Sequence, residues 1–251
     1  MTAALEVRNL SKHFGALQVT QNVNLKLEQG ARHALIGPNG AGKTTLINQM
    51  TGVLSPDHGS IYLSGRDVTA FSQEARVKQG LARTFQINQL FRGLRVLENV
   101  ALSISERKRH GHDFWRHAWS KSDVLDEAME LLEQLKLSND ALTPIHELPY
   151  GRQRLVEIAI TLGQKPDVLL LDEPAAGVPS AESHIILDVI DSLADDIAIL
   201  IIEHDMDVVF RFAKRITVLV RGEVLIEGTP EEIAADPEVK AVYLGETADV
   251  G

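Results

Sequence analysis

Gly37-Pro38-Asn39-Gly40-Ala41-Gly42-Lys43-Thr44-Thr45 decides the fold. Residues 37–44 match the spacing G-x-x-x-x-G-K-[ST]. The apolar run Ala34-Leu35-Ile36 precedes it and the helix-compatible Leu46-Ile47-Asn48-Gln49-Met50 follows, so the chain reads as strand, loop, helix. The glycines let the backbone wrap closely and turn its amide N–H groups inward. The following helix adds the positive end of its dipole, so the loop is a phosphate cradle. Asn39, Gly40, Ala41, Gly42 and Thr45 supply the cradle, Lys43 reaches the outer phosphates, and the Thr44 hydroxyl suits Mg²⁺. A glycine turn that merely caps a helix is the bland alternative, and a strand and a helix in the required places argue against it.

A second stretch carries complementary chemistry. Val168-Leu169-Leu170-Leu171-Asp172-Glu173-Pro174 is a continuously apolar strand ending in two carboxylates. Parallel strands buried on both faces read this way, and ligands bind at their carboxyl ends. Asp172 suits Mg²⁺, directly or through water, and Glu173 suits a general base that activates water for attack on a γ-phosphate.

Outward from these two stretches the reading is α/β. Leu5, Val7 and Leu10 predict a first strand, the alternation Val23, Leu25, Leu27 a second, and Gly59 to Val68 further short strands. Gly52 is a helix stop. Asp123 to Leu137 predicts an amphipathic helix. Ile197 to Ile202 is a second buried strand, and Glu182 to Leu193 a helix between the two, which makes a β-α-β unit. Thr229-Pro230-Glu231-Glu232 and Asp236-Pro237-Glu238 both read as helix starts.

Composition removes other classes. The 251 residues hold 25 Lys and Arg against 35 Asp and Glu, a net charge of −10, which disfavours a nucleic acid held by bulk electrostatics. With no cysteine there is no disulfide, thiolate metal site or cysteine nucleophile. No apolar run approaches the roughly 20 residues of a membrane span, and no basic region followed by an apolar block opens the chain. The expectation is a cytoplasmic protein able to dock onto a membrane protein.

In order along the chain, the motifs resemble those of the ATP-binding subunit of an ABC transporter. Gln86 within Arg83-Thr84-Phe85-Gln86 resembles the Q-loop glutamine, and Leu148-Pro149-Tyr150-Gly151-Arg152-Gln153-Arg154 the signature segment. Glu203-His204-Asp205 resembles the switch-histidine loop and Phe14 the aromatic residue that stacks on adenine. The segments Asp172 to Gly177, Glu203 to Val209 and Gly228-Thr229-Pro230 with Tyr243-Leu244-Gly245 are most similar to the branched-chain amino acid importer type. Urea and amide importers share them, and the lipopolysaccharide-export ATPase shares some.

The resemblance implies a P-loop cassette with a mixed-sheet core, an antiparallel β part and a helical subdomain. Residues 1–86 and 163–230 would form the ATP-binding core, 87–162 the helical subdomain and 231–251 a helical tail. It implies ATP and Mg²⁺ as ligands, with Glu173 as base and His204 on the γ-phosphate. Gln86 would sense that phosphate through Mg²⁺ or water, with Thr44, Gln86 and Asp172 around the metal. Gly151 and Gln153 would meet the ATP of a second ATPase subunit. Integral permease subunits and, indirectly, a periplasmic solute-binding protein are the implied partners, with the chain peripheral on the inner face of the membrane.

The signature departs from pattern at Pro149, where the family usually has Ser, and at Tyr150, where it usually has Gly. Pro149 offers neither hydroxyl nor N–H, and losing one hydrogen bond to a charged group costs roughly 1.5–3 kcal/mol. A heterodimer with a subunit of fuller signature is the expectation. Val178-Pro179-Ser180 is also unusual for the loop after the acidic pair. Rival classes are a non-transport ABC ATPase, a nucleotide-binding module with weak turnover, and a P-loop kinase; the last accounts for neither Gln86 nor Glu203-His204. Arg107 to His110 and Phe114 to Trp119 concentrate positive charge and both tryptophans, Trp115 and Trp119. A solvated insertion is the preferred reading there over a membrane contact.

Overall fold

The computed structural model describes residues 3–84, 90–108 and 122–245. Its elements run β1 (Leu5–Phe14), β2 (Leu17–Leu27), β3 (Arg32–Ile36), α1 (Lys43–Thr51), β4 (His58–Leu63), β5 (Arg66–Asp67), α2 (Gln73–Val77) and β6 (Leu81–Arg83). Then follow α3 (Val96–Arg107), α4 (Ser122–Gln134), α5 (Tyr150–Leu162), β7 (Val168–Asp172), α6 (Ser180–Asp191), β8 (Ala198–Ile202) and α7 (Met206–Phe212). The chain closes with β9 (Arg215–Val220), β10 (Glu223–Gly228), α8 (Pro230–Ala235) and α9 (Pro237–Gly245). Two compact units emerge: Met1–Leu81 with Asp167–Glu173 and Ala194–Gly251, and Ala82–Pro166 with Pro174–Leu193.

The first unit holds an antiparallel sheet in the order β2-β1-β4-β5. The other sheet runs β10-β9-β3-β8-β7-β6, the unit boundary falling inside β6. Strands β9, β3, β8 and β7 are parallel neighbours, and β10 turns back antiparallel on β9. Strands β3, β7 and β8 are buried at every residue; β8 is apolar throughout and β7 as far as Leu171, as central parallel strands are. Strand β3 opens with Arg32 and His33, whose buried polar groups meet Ile197 O and Thr217 Oγ1. Leu46, Ile47 and Met50 of α1 join Leu5, Leu27 and Ile61 of the antiparallel sheet and Leu35, Leu170 and Leu200 of the parallel one in a single apolar core. The helix after the phosphate loop is thereby fixed from both sides.

Gly52 stops α1 in the left-handed conformation at φ 80°, as the sequence indicates. The rest of that helix end is capped by a residue the sequence reading did not single out. The buried guanidinium of Arg76 donates to the carbonyls of Gln49 and Met50, both at 2.6 Å, and to those of Thr69 (2.8 Å) and Phe71 (3.2 Å). A cation there satisfies orphan carbonyls and complements the helix dipole.

In the second unit α3 packs on α4 and α5, and α5 on α6. Val100 and Ile104 of α3, Ala128 and Leu132 of α4, and Val156 and Ala159 of α5 are all buried. Helix α4 ends at Gln134, short of the expected Leu137, because Lys136 takes φ 58° and turns the chain. Strand β2 starts earlier than expected, at Leu17, because its ladder with β1 continues to the Phe14–Leu17 pair. Thr229 caps α8 reciprocally with Glu232, and Asp236 Oδ1 accepts from the N–H groups of Glu238 (2.8 Å) and Val239 (2.9 Å). Among the described residues no helix is long and apolar enough to cross a membrane.

Candidate functional site

The site begins with register. Ile202 of β8 is paired with Leu35 of β3 on one side and Asp172 of β7 on the other. Asp172 is therefore level with Leu35, two strand spacings away, or about 9.5 Å. The phosphate loop leaves β3 just beyond Leu35, and Glu203-His204 leaves β8 just beyond Ile202. Three adjacent parallel strands thus deliver the loop, the acidic pair and the histidine to one edge of the sheet, where α/β sheets bind ligands.

The loop is shaped by backbone contacts that no side chain tolerates. A Cβ on Gly37 (φ 153°) would lie 2.1 Å from the Leu219 carbonyl oxygen, and one on Gly42 (φ 101°) 2.4 Å from that of Val19. The Gly222 N–H donates to Ala41 O at 2.9 Å, and Gln21 N–H to Gly222 O at 2.8 Å. The turn between β9 and β10 and strand β2 therefore form a wall around the loop, a support not visible in the loop's own sequence. Lys43 Nζ donates to the carbonyls of Gly37 and Pro38, the second at 2.9 Å. Asn39, Gly40 and Thr44 are exposed, Thr45 is half-buried and Ala41 is buried.

Asp172 ends β7 and is buried. Glu173 follows at φ 47°, a conformation unfavourable for a residue with a side chain, and its N–H donates to Ile202 O at 2.9 Å. That bond to β8 holds the turn. His204 Nδ1 stands 3.5 Å from Glu173 Oε1 and 4.0 Å from Glu203 Oε2. Glu203 is almost fully buried, while the His204 side chain is 69% exposed, open to a ligand above the sheet edge. Behind the loop, on β3, buried His33 Nε2 meets Thr217 Oγ1 at 2.8 Å, and that hydroxyl lies 3.2 Å from Glu227 Oε2. Burial drives the His33 pKa down to about 4, against the pull of Glu227.

Phe14 ends β1 and is 51% exposed, as a stacking residue needs. Gln86 and the Trp115/Trp119 segment lie outside the described residues. The signature segment belongs to the second unit. Pro149 caps α5 without a side-chain bond, and Tyr150 begins the helix. Gly151 is buried in its first turn. Gln153 is buried too, and its amide donates to Leu148 O at 2.9 Å. Its side chain is turned into its own unit. The residue beside it, Arg152, is the more exposed of the two; it reaches Asp140 Oδ2 at 2.6 Å and Lys136 O at 3.1 Å.

Mg²⁺ takes hard oxygen ligands and leaves much of its shell to phosphate and water. One exposed hydroxyl and one strand-end carboxylate, Thr44 and Asp172, fit that demand. Among the described residues no group of three or more His, Asp or Glu side chains forms a closed metal cage.

Comparison with known proteins agrees with this arrangement. The ABC transporter family pattern matches residues 20–176, and that of the branched-chain amino acid ATP-binding cassette transporters matches residues 223–249. The chain is 38% identical to the high-affinity branched-chain amino acid transport ATP-binding protein LivG of Salmonella typhimurium, over 96% of this chain and 98% of that one. It is 36% identical to BraF of Pseudomonas aeruginosa, a protein of the same description, over 96% and 98%. Among solved structures, an ATP-binding cassette of an ABC transporter in its ADP conformation superposes with a TM-score of 0.86 at 32% identity, covering 98% of this chain and 100% of that one. A nucleotide-free cassette superposes at 0.85 and 31%, covering 96% and 98%. With a phosphate loop, an acidic strand end and a histidine on one sheet edge, and relatives matching along nearly the whole length, the chain belongs to the ABC transporter family as one of its ATP-hydrolysing cassettes.

Proposed function

We propose that this chain binds ATP with Mg²⁺ on the loop 37–45 and hydrolyses it to drive import of branched-chain amino acids, or a related small polar solute, through separate permease subunits. The observation that carries the reading is the register of β3, β8 and β7, which supports a common site for Lys43, Asp172, Glu173 and His204. Loop amides and Lys43 hold the β- and γ-phosphates. Phe14 stacks on the base. Glu173 takes the proton of the attacking water, and His204, beside it, holds the γ-phosphate in line. Thr44 and Asp172, with Gln86, would hold Mg²⁺, which would supply positive charge against that of the phosphates. No covalent enzyme intermediate is required.

The solute class rests on the match at residues 223–249 and on the named relatives. The weakened signature supports pairing with a second, different ATPase subunit. Pro149 supplies no hydroxyl, and Gln153 is committed to Leu148. Residues 87–162 would act as the helical subdomain, and the chain would sit on the cytoplasmic face through its permeases, served by a periplasmic solute-binding protein.

Glu173→Gln tests the chemistry: ATP binding persists while turnover falls about 10²-fold or more, measured by phosphate release. Near-normal turnover would remove Glu173 from the role of base. Proteoliposomes holding the permeases and both ATPases test the cargo. Leucine uptake on ATP addition is expected, and uptake of urea but not leucine would overturn it.

A further inference from the structure

The base end of the site poses a mechanical problem. Phe14 sits at the tip of the β1–β2 hairpin, paired with Leu17 across a two-residue turn, and both are exposed, at 51% and 65%. The ladder that should hold the tip is irregular. Register shifts separate Leu10 from Lys12 and Lys12 from His13, and the pairing of β1 with β4 ends at Ser11–His58. The ring is therefore reached only by an irregular ladder with β2, and β4 supports neither His13 nor Phe14.

One residue makes up the deficit. Asp57 donates its N–H to Ser11 O at 2.9 Å. Its Oδ2 accepts the His13 N–H at 2.7 Å, and its Oδ1 meets Lys12 Nζ at 2.6 Å. His13 Nδ1 stands 3.6 Å from the same Oδ2. Lys12 Nζ in turn lies 5.9 Å from the centroid of the Phe14 ring, within cation–π range. Asp57 follows α1 by a short turn, fastened by Leu54 N–H to Asn48 O at 2.9 Å. It thus ties the ring to the helix that carries Lys43 and Thr44. The donors at its two oxygens are a backbone N–H and an ammonium, so only a carboxylate serves both; an amide has one accepting atom.

We propose that Asp57 is a positioning residue for base recognition, setting the Phe14 platform at a fixed distance from the phosphate loop. The inference rests on the stacking role given to Phe14 above. Its signature is selectivity: loss of Asp57 weakens ligands that carry an adenine and spares those that carry only phosphates.

The test is calorimetry on the full chain with Mg-ATP and with Mg-tripolyphosphate, comparing Phe14→Ala, Asp57→Ala and Asp57→Asn. Phe14→Ala lowers ATP affinity about 10-fold, the scale of one base–aromatic stack. Asp57→Ala lowers it about 5-fold, on the low side of that scale, and Asp57→Asn less, both leaving tripolyphosphate affinity unchanged. In hydrolysis, KM for ATP rises while kcat holds. If Asp57→Ala does not fold, Asp57→Asn decides by its ATP-to-tripolyphosphate ratio. An unchanged ratio in Asp57→Asn, or equal losses for both ligands in Asp57→Ala, overturns the proposal and leaves Phe14 stacking intact. An unaffected Phe14→Ala overturns the stacking reading and this inference together.

Discussion

The phosphate loop and the signature segment are both short, glycine-bearing stretches that open a helix, yet they are built on opposite plans. The loop is a backbone object. Gly37 and Gly42 lie where a Cβ would overlap main-chain oxygens of Leu219 and Val19, so shape is enforced by what cannot be present. The signature turn is a side-chain object. Pro149 caps it without a polar group, and it is held by Gln153 on Leu148 O and by Arg152 on Asp140 and Lys136 O. A backbone object fails all at once when altered, and a tethered one fails by degrees.

The largest expected effect tests the first half of that contrast within the loop itself. Gly37→Ala places a methyl 2.1 Å from a carbonyl oxygen of β9, which is paired to β3 and cannot retreat without opening the sheet. A loss above about 4 kcal/mol follows, seen as a collapse of Tm with no ATP binding. Gly40→Ala has no atom within 4 Å of its Cβ and suffers only from φ 77°, at about 1 kcal/mol. Equal losses at both positions would mean that positive φ, rather than close approach, sets the loop.

This difference in plan also explains what could be read from sequence. Gly37, Gly42 and Lys43 have fixed spacing because backbone geometry fixes it, and β7 up to Leu171 and the whole of β8 announce themselves by continuous apolar sequence. Tethers leave no such mark. Nothing in the order of residues ties Arg76 to the carbonyl end of α1, or Asp57 to the hairpin that carries Phe14; both depend on chain returning from elsewhere. The inward turn of Gln153 was hidden for the same reason, since motif resemblance transmits position but not rotamer. Lys136 at φ 58° ended α4 where no glycine signalled a stop.

Acid provides a graded comparison between the two units. His33, in the first, has its pKa lowered to about 4 by burial. Between the unfolded value near 6.5 and about 4 the unfolded chain binds a proton that the folded one refuses. Stability is therefore full above about pH 6.5 and falls as pH drops toward 4, by up to about 3 kcal/mol. In the second unit, burial would raise the Glu127 carboxyl, but Lys165, Lys108 and Arg107 outweigh it and hold the group down at about 2. Its contribution is present above about pH 4.5 and is lost as pH falls toward 2, again at most about 3 kcal/mol. Denaturant melts from pH 8 to 4 should show the first loss, and His33→Gln should flatten it. Glu127→Gln should leave that range sloping and remove only the part below pH 4.5. A slope between pH 6.5 and 5 that survives His33→Gln would assign it to another group.

The smallest effect probes the tether directly. Arg152 Nη2 stands 2.6 Å from Asp140 Oδ2 without the alignment of a hydrogen bond, so the pair acts through charge, and Nη1 adds a bond to Lys136 O at 3.1 Å. Both side chains are partly exposed, at 33% and 21%, which screens the pair. Arg152→Ala should cost about 1 kcal/mol, measured by urea unfolding. Arg152→Lys keeps the charge and loses the forked geometry, so its cost should fall between that of Arg152→Ala and zero. A double-mutant cycle with Asp140→Ala separates the terms. A coupling of a few tenths of a kcal/mol or more means that charge holds the start of α5. Strict additivity would leave the bonds of Arg152 to Lys136 O and of Gln153 to Leu148 O as its fastening, and the side-chain plan of this segment would then rest on main-chain carbonyls rather than on an ion pair.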